Sequence, residues 1–312
     1  MAKVILSSLI FAASLLTCAH IEKSQHRFSV AQQTPLSILQ GLSWNEGALF
    51  TVLRQDSQKF TYFYTQDNSP GSSERLLIPK TYKYEDSDWV VDHFRIEFIS
   101  KDPLSSLSDI LIVRDQKRQV IDQRIISRPD LKKAHFKIAL ASCMDDRFEK
   151  EQRQIWQELL ENKLDYLFLL GDNVYATSLL SPTEKMVSKS QLWQRYVETR
   201  QKLTLYHTKE LIPTLAIWDD HDYGTRDGDK TYPFRQQAKE VFNAFYAQDQ
   251  DIPGVFTLGP LNSALFKAFQ GRFFLLDDRF QREPSGSDQG KYAHYGQEQE
   301  DWLFEGLAQS SA

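Results

Sequence analysis

Cysteine is scarce in this chain, because its 312 residues contain only Cys18 and Cys143. These leave at most one disulfide, and none if Cys18 is removed or lipidated. Basic residues are not in excess either, since 37 Lys and Arg stand against 42 Asp and Glu, for a formal net charge of −5. This balance excludes a general electrostatic affinity for polyanions, so we expect no nucleic-acid-binding surface.

Long apolar runs, repeats and low-complexity tracts are also lacking. The apolar run from Val4 to Leu16 follows Lys3 and is too short to span a bilayer comfortably. We therefore predict a signal peptide at residues 1–18 and an exported protein that is periplasmic, secreted or lipid-anchored to the bacterial envelope. Leu15-Leu16-Thr17-Cys18 is similar to a lipobox, so a lipidated Cys18 could provide membrane attachment. The alternative is cleavage near Ala19.

The sequence after residue 18 divides into three parts. Residues 19–34 are polar without a clear period and are predicted to be a linker. Residues 35–131 hold short alternating segments such as "ALFTVL", "KFTYFYT" and "HFRIEFI", separated by turn signals. They predict a small all-β sandwich domain of immunoglobulin or fibronectin III type, and no cofactor motif occurs in it.

Residues 134–312 have the pattern of an α/β domain. Buried strands are predicted at 136–142, 165–172, 213–218 and 272–278, and helices at 149–164 and about 191–206. Strand, helix and strand in that order imply a right-handed crossover between parallel neighbours. The first helix is predicted to bury one side, formed by Ile155, Trp156, Leu159, Leu160 and Leu164. Trp218 is predicted to belong to the core.

Polar side chains follow each predicted strand. They are Cys143 after the first strand, Asp172 and Tyr175 after the second, Asp219 to Asp222 after the third, and Asp277 and Asp278 after the fourth. In open α/β sheets the ligand crevice lies at the carboxyl ends of the strands, so these groups should converge. Carboxylates held close together either share protons or bind cations. A thiolate with a phenolate favours trivalent iron, and carboxylates suit a divalent ion.

Five ordered segments carry a family resemblance: "SCMDDRF" (142–148), "LLGDNVY" (169–175), "IWDDHDYG" (217–224), "LLDDR" (275–279) and "YGQEQEDWLFEGLAQSSA" (295–312). Together they resemble the alkaline phosphatase D family of metallophosphatases, from about Leu39 to the last residue. Gly-Asp-x-x-Tyr is also similar to the purple acid phosphatases. The resemblance implies an αββα metallophosphoesterase sandwich and the hydrolysis of phosphate mono- or diesters by a metal-activated hydroxide.

The resemblance also implies individual roles. Cys143 and Tyr175 match the thiolate and phenolate ligands of iron(III), and Asp172 matches the carboxylate that bridges two metals. Asp220 stands where the superfamily has a metal-binding asparagine, and His221 matches the histidine that stabilises the phosphoryl transition state. Asp220 and His221 are the predicted catalytic residues. Calcium is the expected second metal, with zinc or manganese as alternatives.

Two departures from the family pattern appear. The Gly-Asp-x-His segment and a later histidine motif are absent, so we expect an α/β domain that is incomplete at its C-terminus, in a fragment or a degenerate homologue. The unassigned histidines considered as replacements are His20, His26, His135, His207 and His294. His207 and His294 are expected on the surface. Arg226 stands where the family often has asparagine, and arginine cannot ligate a metal, although Asp227 or Asp229 could.

Alternatives remain open. The chain could be a non-catalytic surface lipoprotein or binding scaffold, or a glycosidase that uses paired carboxylates, which would leave Cys143 and Tyr175 without a task. Cys143 could instead pair with Cys18 or be buried as a small apolar residue. Asp172 could serve in a turn or cap, Tyr175 could be a packing residue, and residues 219–222 could form a solvated loop.

Overall fold

The computed structural model describes residues 34–67, 72–85, 87–100, 107–179, 186–248, 255–257, 263–286, 290 and 293–309. The predicted signal peptide at 1–18 and nearly all of the predicted linker at 19–34 lie outside these residues. Within the described part of the chain, the helices are too short or too polar to cross a bilayer.

The first part of the chain forms two four-stranded antiparallel sheets. The strands are β1 Ser37–Trp44, β2 Gly47–Gln55, β3 Thr61–Gln66, β4 Arg75–Leu77, β5 Lys80–Lys83, β6 Trp89–Glu97, β7 Asp109–Arg114 and β8 Val120–Ile126. One sheet has the order β1-β2-β6-β5 and the other β4-β3-β7-β8. Phe50 and Phe94 from the first sheet and Tyr62 and Tyr64 from the second share one buried core. This is the predicted β-sandwich, while its exact boundaries stay a prediction.

A parallel sheet follows, built from β9 Ile138–Ala141, β10 Tyr166–Leu170 and β11 Thr214–Ile217 in the order β11-β10-β9. Helix α1, Glu149–Glu161, connects β9 to β10 and buries Trp156. The prediction that Ile155 lies on the buried side is wrong, because this side chain is 55% exposed. Neighbouring helical residues point about 100° apart, so the sheet receives Trp156 and not Ile155.

Four further helices complete the described α-helical structure. They are α2 Lys189–Lys202, α3 Asp220–Tyr223, α4 Arg235–Phe245 and α5 Gln297–Ala308, and single 3₁₀ turns occur at Asp146–Phe148, Ala176–Leu179 and Thr204–His207. Helix α2 begins with a capping box between Ser188 and Gln191. The helix predicted at 191–206 therefore starts slightly earlier and stops at Lys202, because Leu203 has an extended backbone.

A second three-stranded sheet contains the fourth strand that the sequence predicts. It contains β12 Val255–Thr257, β13 Ala264–Ala268 and β14 Gly271–Leu275, all antiparallel. The segment predicted at 272–278 as the fourth strand is β14, and it pairs with β13. The reason is a tight hairpin turn in which Phe269 and Gln270 both have a positive φ, of 53° and 59°.

The two three-stranded sheets pack face to face through aromatic side chains. The ring centroid of Phe168 in β10 lies 6.4 Å from that of Phe266 and 5.0 Å from that of Phe273. On the opposite face of β14, Phe274 contacts Trp302 of α5 at 5.5 Å. Helix α1 and helix α5 thus flank two sheets, which is the predicted αββα arrangement.

The β-sandwich and the α/β region are joined by a buried arginine of α2. Arg200 is 1% exposed and donates hydrogen bonds to the Ser37 hydroxyl at 3.0 Å, the Thr51 hydroxyl at 3.1 Å and the Phe245 carbonyl at 2.7 Å. Burial lowers the pKa of Arg200 to about 10. One guanidinium therefore links β1, β2 and the end of α4.

Candidate metal centre

The site lies where β9, β10 and β11 end at one edge of the parallel sheet. Gly171 has a φ of +100°, and a Cβ atom there would lie 2.5 Å from the Cβ atom of Asp219. Only glycine allows this approach of the two loops. The loop after β9 joins them, because Cys143 N–H donates to the Gly171 carbonyl at 3.2 Å and Met144 N–H to the Asp172 carbonyl at 2.8 Å.

Cys143 and Asp172 both have left-handed backbones, with φ values of 60° and 52°. Non-glycine residues rarely adopt this conformation, and it persists where the surrounding structure enforces it. It brings the Cys143 sulfur within 3.8 Å of Asp172 Oδ2, and the Tyr175 hydroxyl lies 3.5 Å from the same oxygen. Cys143 is a free, exposed thiol, so the alternative that it is a buried apolar residue is wrong.

Asp220 and His221 complete this cluster from the start of α3. One ligand atom each from Asp172, Asp220 and His221 lies within 4.8 Å of the other two. The His221 backbone N–H donates to Asp172 Oδ1 at 3.4 Å, and its ring stacks on Tyr175 with 4.2 Å between centroids. Five residues, called here the donor group, are thus brought together: Cys143, Asp172, Tyr175, Asp220 and His221.

The electrostatics of the donor group fit a multivalent cation. Burial raises the pKa of Asp172, and the nearby carboxylates of Asp220 and Asp219 raise it further, against the opposing effect of His221. Burial and the Asp172 charge also raise the pKa of Tyr175. Negative oxygens that disfavour one another in this way become compatible when a cation lies between them. Carboxylate, imidazole, thiolate and phenolate are all metal ligands, and their roles here stay predictions.

Asp222 does not face the donor group. Its side chain is fully buried and accepts backbone N–H groups from Val174 at 2.8 Å, Asp219 at 3.0 Å and Asn173 at 3.1 Å. Burial raises the pKa of Asp222 well above its usual range. The carboxyl ties the loop after β10 to the loop after β11, so a solvated loop is the wrong description for this residue.

Asp219 and Asp277 also have structural partners. Asp219 accepts the backbone N–H of Asp220 at 2.8 Å and Arg279 Nε at 2.6 Å, so it caps α3 and compensates a buried arginine. Asp277 is buried and accepts Trp218 Nε1 at 2.7 Å. Trp218 is 1% exposed, which confirms it as a core residue.

Asp278 lies beside this network, not in the donor group. Burial raises the pKa of Asp278 to about 6, against the opposing charge of Arg279. The Asp278 carboxylate lies 3.3 Å from the Arg279 guanidinium.

Asp227 and Asp229, weighed as substitute ligands, are not in the carboxylate and histidine cluster of the described residues. Arg226 and Asp227 are exposed, and the Asp227 backbone N–H donates to Asp220 Oδ2 at 2.7 Å. The Asp229 carboxylate binds the Thr231 hydroxyl at 2.6 Å. His135 and His294 are exposed.

His207 is partly buried and lies outside the donor group. Its Nδ1 lies 3.0 Å from the Thr34 carbonyl and its Nε2 lies 3.2 Å from the Arg200 carbonyl. Burial lowers the pKa of His207. His20 and His26 lie outside the described residues.

Two neighbours of the donor group were missed by the sequence analysis. Thr177 lies in the 3₁₀ turn after Tyr175 and is fully buried, and its hydroxyl contacts His221 Nδ1. Arg147 lies in the "SCMDDRF" segment with its guanidinium 5.8 Å from the Tyr175 ring centroid. Neither contact could be predicted from the spacing of residues along the chain, since Thr177 and His221 are 44 positions apart.

Two solved phosphatase structures match this fold. A solved structure of PhoD matches with a TM-score of 0.60 at 16% identity, covering 88% of this chain and 60% of that one. The structure of purple acid phosphatase PPD1 from yellow lupin seeds matches with a TM-score of 0.53 at 9% identity, covering 88% of this chain and 48% of that one. At these identities the matches establish the fold alone.

Sequence comparison agrees with the predicted resemblance. Alkaline phosphatase D of Bacillus subtilis (strain 168) is 24% identical over 208 residues, which cover 56% of this chain and 35% of that protein. The chain therefore spans about a third of the length of this curated relative. The model of the PhoD-like phosphatase family matches residues 138–312. Since this match covers more than half of the 312 residues, the chain belongs to the PhoD-like phosphatase family.

Proposed function

We propose that this protein is a metal-dependent phosphoric ester hydrolase of the alkaline phosphatase D type. One observation carries the proposal: ligand atoms of Asp172, Asp220 and His221 lie within 4.8 Å of one another, and the thiol of Cys143 and the phenol of Tyr175 approach the same Asp172 oxygen. Family membership supports the reaction class.

Each residue of the donor group has a role in the proposal. Cys143 and Tyr175 would hold iron(III) together with Asp172, whose two oxygens allow it to serve a second ion as well. Asp220 would hold the second, divalent ion, which is expected to be calcium, with zinc or manganese as alternatives. When bound, the ions lower the pKa of a water molecule and neutralise charge on the phosphoryl oxygens.

His221 would contact the substrate through Nε2. Its Nδ1 is occupied by the buried Thr177 hydroxyl, and a hydroxyl that donates to Nδ1 leaves the ring proton on Nε2. An Nε2–H group can donate to a phosphoryl oxygen as negative charge develops in the transition state. Stacking on Tyr175 restrains the rotation of the imidazole. Positioning and charge neutralisation suffice for phosphoryl transfer, so a protein nucleophile is not required.

The proposed place of action is outside the cytoplasm, on phosphate mono- or diesters. The support is the run from Val4 to Leu16 after Lys3 and the Thr17-Cys18 pair that follows it. Lipidation of Cys18 would hold the enzyme at the membrane surface. Mass spectrometry of the protein isolated from a bacterial envelope tests this part, and an N-terminus that retains Met1 would refute it.

The chemistry is tested with purified chain, elemental analysis, and p-nitrophenyl phosphate or its bis ester as substrate. We expect iron, a broad visible band from thiolate or phenolate bonded to iron(III), and hydrolysis that chelators abolish. Tyr175→Phe and Cys143→Ala should weaken or shift the band, and Asp172→Asn should lose turnover. A metal-loaded chain that binds phosphate but hydrolyses neither ester would refute the enzyme and favour a scaffold.

A further inference from the structure

A half-exposed arginine lies beside the donor group. Arg147 is in the 3₁₀ turn Asp146–Phe148, and its side chain is 58% exposed. Its guanidinium carbon lies 5.8 Å from the ring centroid of Tyr175, within the distance of a cation–π contact. The hydroxyl of that ring lies 3.5 Å from Asp172. A single aromatic ring therefore separates the guanidinium from the carboxylate at the centre of the donor group.

The orientation of Arg147 is fixed by Asp145. Arg147 Nε donates to Asp145 Oδ1 at 2.9 Å and Nη2 donates to Oδ2 at 2.5 Å, and the Arg147 backbone N–H also donates to Oδ1 at 3.0 Å. The backbone of Asp145 is held in turn, because its N–H donates to the Cys143 carbonyl at 3.0 Å and its carbonyl accepts Gln152 Nε2 at 2.5 Å. The same loop thus positions Cys143 and Arg147.

One edge of this guanidinium remains available. Within the described residues, Nη1 of Arg147 has no hydrogen-bond acceptor, whereas Nε and Nη2 are both used. Two other arginines near the site are buried and bind carboxylates of the protein. Arg279 is 7% exposed and bonds Asp219, and Arg195 is 3% exposed and bonds Asp146. Arg147 is therefore an oriented cation at the rim of the site with unused donors.

An oriented guanidinium recognises anionic oxygens and gains most from the more highly charged ligand. A phosphomonoester dianion carries one more negative charge than a phosphodiester anion. The alternative is that Arg147 serves only to pair with Asp145, whose side chain is 9% exposed. That pairing uses Nε and Nη2 and leaves Nη1 unused.

We propose that Arg147 is a substrate-binding residue that contacts an anionic oxygen of the ester and favours monoester dianions over diester anions. The inference rests on the proposed phosphatase function and adds a determinant of substrate charge to it. The pairing of Nε and Nη2 with Asp145 holds the guanidinium beside the Tyr175 ring and leaves Nη1 for this contact.

The test compares the metal-loaded wild-type chain with Arg147→Ala and Arg147→Lys. For Arg147→Ala we expect KM for p-nitrophenyl phosphate to rise about 10- to 100-fold, the usual effect of losing a hydrogen bond between charged groups. KM for bis(p-nitrophenyl) phosphate should rise only about threefold and kcat should stay within about threefold for both esters, since uniform binding is lost. KM of Arg147→Lys for p-nitrophenyl phosphate should lie between those of wild type and Arg147→Ala, because lysine keeps the positive charge and loses the planar set of N–H donors.

The matched control is Arg153→Ala, which removes another half-exposed arginine whose partner, Glu149, lies on the same helix. Metal content should be unchanged in all three variants. Unchanged KM values in Arg147→Ala, or equal increases for both esters, would overturn the inference while leaving the phosphatase intact.

If the wild-type chain hydrolyses neither ester, the proposed function fails separately. Calorimetry with inorganic phosphate then decides the inference. Binding weakened about tenfold or more by Arg147→Ala supports it, and equal affinities refute it.

Discussion

Replacing Asp222 by asparagine should destabilise the fold without touching the donor group. The carboxyl is fully buried and accepts three backbone N–H groups, with Asn173 and Asp219 at Oδ2 and Val174 at Oδ1. An amide offers one acceptor oxygen where the carboxylate offers two. In the better orientation the amide oxygen replaces Oδ2, and its NH₂ group faces the Val174 N–H, so a donor meets a donor.

The magnitude follows from the groups left unpaired. One backbone N–H and one amide NH₂ lose their acceptor, and each such buried group costs about 1–3 kcal/mol. Burial raises the pKa of Asp222, so the carboxylate is itself held at a cost that the neutral amide avoids. We therefore expect a loss of about 2–3 kcal/mol for Asp222→Asn, and about 4 kcal/mol for Asp222→Ala, which leaves all three N–H groups unpaired.

Urea unfolding of chelator-treated protein measures this loss, followed by the fluorescence of the six tryptophans, of which Trp218 is buried next to the site. At an m value of about 3 kcal/mol/M, a loss of 3 kcal/mol lowers the unfolding midpoint by about 1 M. The control is Asp227→Asn in the same segment, because Asp227 is exposed and its φ of 50° suits asparagine equally well.

An Asp222→Asn variant whose free energy of unfolding stays within about 0.5 kcal/mol of wild type, like that of a surface substitution, would refute the reasoning. It would mean that the three N–H groups find other acceptors. A larger loss of stability for asparagine than for alanine would also refute it, because alanine leaves more backbone N–H groups unpaired.

Three further predictions concern single contacts. Gly171→Ala places a Cβ atom 2.5 Å from that of Asp219 at a φ of +100°, so we expect a loss of at least about 2 kcal/mol in urea unfolding and weaker metal binding, with unchanged values contradicting the close approach. Thr177→Val removes the hydroxyl at His221 Nδ1 and should lower kcat about 10- to 100-fold, while Thr177→Ser retains activity; equal rates would contradict the positioning role. Because burial lowers the pKa of His207, its contribution to stability is present above the unfolded pKa of about 6.5 and is lost as pH falls through the lowered folded pKa, with a slope of up to about 1.4 kcal/mol per pH unit. His207→Gln should reduce that loss between pH 7 and pH 5 in urea titrations, and an unaltered pH dependence would count against it.

Much of the fold could be predicted from local sequence patterns. The runs around Phe168 and Leu215 are apolar throughout, as strands covered on both faces must be, and an amphipathic helix between strands requires a parallel crossover. The convergence of Cys143, Asp172 and Asp220 follows from that topology, since parallel strands present their carboxyl ends at one edge. Their approach within a few Å was therefore predictable, whereas their metal-binding role remains a prediction.

The parts that failed depend on tertiary contacts. Strand β14 pairs with β13 through a left-handed turn at Phe269 and Gln270, and neither residue is one that signals such a turn. The carboxylates at 219, 220 and 222 look alike in sequence, yet only Asp220 joins the donor group. The Asp219 carboxylate instead binds Arg279, which lies 60 positions further along the chain. Spacing along the chain cannot reveal such a partner.

The buried guanidinium of Arg200 has a consequence for how the protein can be divided. Its acceptors at Ser37 and Thr51 belong to the β-sandwich, and its acceptor at Phe245 belongs to the α/β region. Cutting the chain near residue 132 would leave the Arg200 guanidinium in the α/β region with the Phe245 carbonyl but without its acceptors at Ser37 and Thr51. The sandwich and the α/β region therefore share one buried hydrogen-bond network, and truncated chains meant to retain the donor group should begin before β1.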